Sequence, residues 1–218
     1  MTVEPGEIDA AGLSALYERC ANAAEPESTT EDSAAKTALS SALRAAREES
    51  QELGGHAPDA NASALLQLLA SMSQSSSAVY VGSAPGVVAL SLLTGMSSVS
   101  ADTAQRGMVT AITSDPHHSE AGKRAVKAAG FPASSCRVIA ARPLEVMGKL
   151  AAGTYGLVVA HDGEVEARAL AKRGLELVGS GAVVVLGSVT FFDEVDDLPE
   201  NASITRLPLG GGVSILTA

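Results

Sequence analysis

His161 closes the apolar run Gly156–His161, GLVVAH, and Asp162 follows it. Imidazole titrates near neutral pH, so such a residue at the end of a buried strand can act as a general base. The same pair also reads as an ordinary polar strand end. A second set of candidates lies in the stretch Val79–Gly95, VYVGSAPGVVALSLLTG. Gly82 lets the chain turn out of a strand, and Gly86 lets a helix N-terminus approach a ligand, with Ser83 between them. Any strand-to-helix turn has use for the same two glycines. No GxGxxG follows the strand and no phosphate-loop lysine is present, which argues against a dinucleotide or nucleoside triphosphate site.

Other polar groups fall at the ends of apolar runs. Thr113 and Asp115 follow one such run, and Asp115-Pro116 has the order of a helix cap followed by a first-turn proline. Arg142 precedes Pro143 and reads either as a cation at a strand end or as a surface arginine at a helix start. His117-His118 reads as an exposed pair in a first turn. FFDEVDDLPE, Phe191–Glu200, is acidic but has no calcium-loop spacing, so it reads as a solvated loop.

The elements that would carry these residues alternate. Helical periodicity covers Ser33–Leu53 and stops at Gly54-Gly55; a second helix begins near Asn61 or Ser63, either of which suits the cap. Strands are expected at Ala78–Gly82, Met108–Asp115, Cys136–Ala141, Gly156–His161 and Gly181–Gly187. The helices between them run over GVVALSLLTGM, Pro116–Ala129, Pro143–Leu150 and EVEARALAKRGLELV. SITRLPLGGGVSILTA has two strand patterns about a glycine-rich turn, a hairpin at the sheet edge. Apolar strands alternating with helices predict a doubly wound, mostly parallel α/β sheet of Rossmann-like type, seven-stranded with its closing antiparallel hairpin. Its ligands would lie beyond the carboxyl ends of the strands. Residues 1–32 are expected to form a polar, acidic N-terminal segment and residues 33–218 the α/β domain.

Composition agrees. Of 218 residues 46% are hydrophobic but only 3% aromatic, which suits a core of Val, Leu, Ile and Ala. A net charge of −10 argues against a phosphate-backbone partner, because nucleic-acid binding needs basic patches. Cys20 and Cys136 lie far apart in no CxxC context, and no apolar run approaches membrane-helix length. The acidic N-terminus MTVEPGEIDA lacks a signal-peptide core. A cytoplasmic protein with neither nucleic-acid nor membrane partners is expected.

From about Ala42 to Ala218 the chain resembles the small class I O-methyltransferases of the catechol and caffeoyl-CoA type, above all their actinobacterial members. ALRAAREESQELG, LLQLLA, VGSAPGVVALSLLTGM, MVTAITSDPHHSEAGKRAVKAAGF, RVIAARPLEVMGKL, TYGLVVAHDG, LVGSGAVVVLGSV and RLPLGGGVSILTA match successive family segments in order. The resemblance implies an S-adenosylmethionine pocket formed by Gly82, Ser83, Gly86, Thr113, Asp115 and Arg142. It also implies a small-molecule hydroxyl as acceptor, a homodimer and, in many members, a divalent cation. The chain departs from the family at several of these places. The family's acid ahead of the loop falls on Tyr80, its middle glycine on Ala84 or Pro85, and its following serine on Val88. The acid that holds the ribose falls on Thr113, and the acid-alanine pair after the third strand on Arg142-Pro143. The family's metal ligands fall on His161, with Asp162 adjacent, and on Leu186-Gly187. Leucine and glycine side chains ligate nothing, so a divalent cation is not expected and S-adenosylmethionine would be held weakly. His161 and Asp162 are the catalytic candidates. The alternative reading is a non-catalytic family member that keeps the fold as a binding or dimerisation module.

Overall fold

A computed structural model of the protein describes residues 30–73, 76–97, 107–161, 164–187, 201–209 and 211–217, and of residues 30–33 and 164–166 only the backbone. Asp162, Cys20 and the acidic stretch 191–200 lie outside the described residues. The chain divides into two units, Met1–Lys36 and Thr37–Ala218.

The elements are α1 (Thr30–Glu52), α2 (Ala60–Met72), β1 (Ser77–Gly82), α3 (Pro85–Ser97), β2 (Met108–Thr113), α4 (Pro116–Ala128), β3 (Cys136–Ala140), α5 (Pro143–Met147), β4 (Tyr155–His161), α6 (Glu164–Leu177), β5 (Val178–Leu186), β6 (Ser203–Leu207) and β7 (Val213–Thr217). The seven strands form one sheet in the order β3-β2-β1-β4-β5-β7-β6. The first five are parallel, and β7 lies antiparallel to both β5 and β6. This is the doubly wound sheet with a closing hairpin expected from the alternating pattern. The order reverses between β1 and β4, and there Gly82 is the register partner of His161. The reversal opens a crevice at the carboxyl ends of these two strands.

Strand alternation sorts the core into two layers. Tyr80 and Ala78 of β1 face the layer built with α2, α3 and α4, while Val79 and Val81 face the layer built with α5 and α6. Helix α3 is apolar nearly all round and accordingly buried, from Pro85 through Met96, with only Thr94 partly open. It is the central helix of its layer, between α2 and α4.

Several boundaries differ from expectation, β2 ending at Thr113 rather than Asp115 among them. The cap of α2 is Asp59, whose carboxylate oxygen accepts the Ala62 N–H at 2.7 Å, and Asn61 and Ser63 lie inside the helix. Helix α5 stops at Met147 rather than Leu150; the Arg173 guanidinium of α6 donates to the Met147 carbonyl at 2.9 Å and so satisfies the helix end. Strand β5 begins at Val178 rather than Gly181, so Gly179 and Ser180 are strand residues as well. The β4–β5 register shifts there, between Tyr155 and Leu157.

Candidate functional site

The loop between β1 and α3 is held from within. The Ala84 N–H donates to the Tyr80 hydroxyl at 3.0 Å, with both residues buried. The Tyr80 ring lies under the loop, and a Cβ on Gly82 would collide with its hydroxyl and reach within 2.6 Å of the His161 carbonyl. Gly82 has φ +154°, so glycine is required there on both counts. Gly86 serves packing: a Cβ there would lie 2.9 Å from the Ala125 Cβ of α4. Val88 is fully buried in the same layer.

The segment after α1 covers this loop. The Ser83 hydroxyl accepts the His56 N–H at 2.9 Å, and a His118 ring nitrogen lies 3.3 Å from the Leu53 carbonyl. Between the two segments remains a void of about 10 Å³ lined by Ser50, Ser83, Pro85, Gly86 and His118, room for about one water. The Ser50 hydroxyl faces no protein partner although Ser50 is only 5% exposed.

The remaining strand-end residues are also engaged. Thr113 is 2% exposed, and its hydroxyl lies 3.4 Å from the Asp115 N–H. Asp115 caps α4, its carboxylate accepting the His117 N–H at 2.7 Å. Arg142 precedes α5 with its side chain 85% exposed and 3.5 Å from Glu145. Gly82, Ser83, Gly86, Thr113 and Asp115 thus gather at the ends of β1 and β2, whereas the Arg142 guanidinium turns out to solvent.

The open space lies on the β4–β5 side. A pocket of about 460 Å³ is lined by Gln51, His56, Pro58, His161, Leu186 and Gly187, with Gly55, Ala57, Ala62 and Gly211 completing it. His161 comes from the end of β4, and His56 from the loop that follows α1. Their rings meet edge to face, centroids 6.3 Å apart. Gly187, with φ +74°, lies against the His161 ring: a Cβ there would be 3.7 Å from Nε2. Among the described residues no group of three His, Cys, Asp or Glu side chains is arranged to hold a metal ion. His56 was not a sequence candidate. Only the close of α1 at Gly54, φ +74°, and the turn back through Pro58 bring it to the mouth of the crevice.

Two groups elsewhere have displaced proton affinities. Burial pushes the Cys136 thiol on β3 up to about 12. The hydrogen bond and charge of Lys123 lower the exposed Glu120 carboxyl. Neither lines the pocket.

A doubly wound sheet with an antiparallel closing hairpin and a crevice at the β1–β4 reversal defines a Rossmann-like methyltransferase architecture. A Mycobacterium ulcerans protein named "Putative O-methyltransferase" is 32% identical over 155 residues, which cover 71% of this chain and 66% of that protein. A Mycobacterium marinum protein of the same name is 33% identical over 144 residues, 66% of this chain and 61% of its own. A crystal structure of a Corynebacterium glutamicum protein superposes with a TM-score of 0.70 at 26% identity, covering 94% of this chain and 96% of the other. The O-methyltransferase TomG of Streptomyces achromogenes, solved in complex with SAM, shares the fold with a TM-score of 0.65 at 20% identity over 93% and 94% of the two chains. No protein-family model matches the chain. The chain belongs to the class I O-methyltransferase family. It spans less than two thirds of the length of these mycobacterial relatives.

Proposed function

We propose that the protein is an S-adenosylmethionine-dependent O-methyltransferase acting on a small-molecule hydroxyl, with a weakly held cofactor and no divalent cation. The observation that carries this reading is the pocket of about 460 Å³ at the ends of β4 and β5, with His161 in its wall. His161 ends β4, one of the two strands that flank the strand-order reversal, where a fold of this kind receives its ligands.

The residues fit the cofactor unevenly. At the pocket end there is room, and Gln51, His56 and His161 supply polar side chains. At the β2 end Thr113 stands where the family has an acid, and the Asp115 carboxylate caps α4. Losing one charge-assisted bond costs about 1.5–3 kcal/mol, or roughly tenfold to a hundredfold in affinity. Ser83 to Gly86 line the small void beside α1 and not the pocket, and the Ser83 hydroxyl and Ala84 N–H are already bonded within the protein, which leaves the cofactor a weak hold. Leu186 and Gly187 offer no oxygen side chain to a hard cation.

When bound, the cofactor supplies an electrophilic methyl group. His161 accepts the proton that the attacking hydroxyl releases, and the pocket walls of Pro58 and Leu186 keep the acceptor oriented and shed water. Positioning supplies most of the rate enhancement. The test is transfer of a tritiated methyl group from the cofactor to a panel of small hydroxyl compounds, with chelator present throughout. Transfer that survives chelation and falls about a hundredfold or more in His161→Asn supports the reading. Transfer that needs added Mg²⁺, or none at millimolar cofactor, contradicts it.

A further inference from the structure

We propose that His56 and His161 together form the acceptor site, binding a single acidic aryl hydroxyl between two imidazoles in place of a metal-chelated pair of oxygens. The inference rests on the reading above, because it assigns the substrate end of the same pocket.

The two rings come from separate elements and stand edge to face with centroids 6.3 Å apart. Of the ten described residues that line the pocket, Gln51, His56 and His161 carry the polar side chains, and none of these ten bears a carboxylate. Leu186 and Gly187 lie on the β5 side, and Gly187 places no Cβ against the His161 ring, where one would stand 3.7 Å from Nε2. His56 is fixed through its backbone N–H to Ser83, which leaves its exposed ring to serve the pocket.

Chemistry then restricts the ligand. A metal ion lowers the pKa of the oxygen it binds and rewards two neighbouring oxygens on the ligand; imidazoles do neither. An ordinary imidazole lies about 3–4 pKa units below a phenol, whose reference is tyrosine near 10, but about 9 below water-like hydroxyls near 15.7. Proton transfer to His161 is therefore within reach for an aryl hydroxyl and not for an alkanol. A second, adjacent hydroxyl adds nothing.

The test uses the full chain without cofactor, and the probes are 4-nitrophenol and 4-nitrocatechol, whose phenolate absorbance reports binding. Both should saturate with dissociation constants within about threefold of each other, unchanged by EDTA or Mg²⁺. His56→Asn and His161→Asn should each weaken 4-nitrophenol about tenfold or more. In the wild-type protein, 4-nitrophenol should move the imidazole NMR signals of His56 and His161 together and leave those of His117 and His118 in place, a readout that needs no variant to fold. A Mg²⁺-dependent preference for 4-nitrocatechol, movement of the other two histidines instead, unaltered affinity in both variants, or no saturable binding by either probe overturns the proposal. Binding as expected with no methyl transfer would instead place the failure in the cofactor half of the site.

Discussion

Replacing Tyr80 by Phe deletes one oxygen from the most enclosed polar contact in the loop. The Tyr80 side chain is fully buried, Ala84 is 1% exposed, and the Ala84 N–H donates to the Tyr80 hydroxyl at 3.0 Å. Phe retains the ring and its packing, so the variant isolates the hydroxyl. The stranded N–H costs about 1–3 kcal/mol, because water does not reach it in the folded state. For a chain of this length each kcal/mol lowers the melting temperature by about 2–4 °C, which gives a fall of about 2–12 °C. Urea unfolding followed by circular dichroism should show a lower midpoint with an unchanged slope, the sign of altered stability rather than an altered unfolded state. An unchanged midpoint would refute the reasoning, since the amide would then have another partner and the loop would not be held by Tyr80.

Gly86→Ala should destabilise the fold by about 1–3 kcal/mol through the Ala125 Cβ 2.9 Å away, and adding Ala125→Gly should recover part of that loss in a double-mutant cycle. Asp59→Ala removes the acceptor of the Ala62 N–H and should cost about 0.5–2 kcal/mol in the same unfolding assay. Cys136, raised to about 12 by burial, should resist iodoacetamide in the folded protein at mildly alkaline pH and react on unfolding, as peptide mapping would show. Because its folded pKa lies above the unfolded one, the stability linked to this thiol is complete below about pH 9. It falls by at most about 1.4 kcal/mol per pH unit from there towards the folded value, and Cys136→Ala should flatten that slope.

The sheet was legible because its strands are continuous apolar runs closed by glycine or a polar residue, and because Asp115-Pro116 and Arg142-Pro143 mark helix starts. The start of β5 was placed three residues late because Gly179 and Ser180 have low strand propensity. Here they are strand residues pressed on β4, where a Cβ on Gly181 would collide with the Gly156 carbonyl. The cap of α2 was misplaced because Asp59, Asn61 and Ser63 all suit the role, and only the chain direction after Pro58 decides among them. The candidate site was half legible. His161 stands out at its strand end, but its neighbour His56 comes from a loop remote in sequence and carries no motif. That Asp115 caps a helix was legible from the Asp-Pro order, whereas the burial of Thr113 beside it was not.

The most direct test of the central claim, a weakly held S-adenosylmethionine and no divalent cation, is calorimetric titration of the full chain with S-adenosylmethionine, with and without Mg²⁺. The account predicts a saturating heat with a dissociation constant of roughly 0.1–1 mM, about −5.5 to −4 kcal/mol, that Mg²⁺ leaves unchanged. No heat at several millimolar, as an order of magnitude for the limit of useful binding, or an affinity that appears only with Mg²⁺, would contradict it.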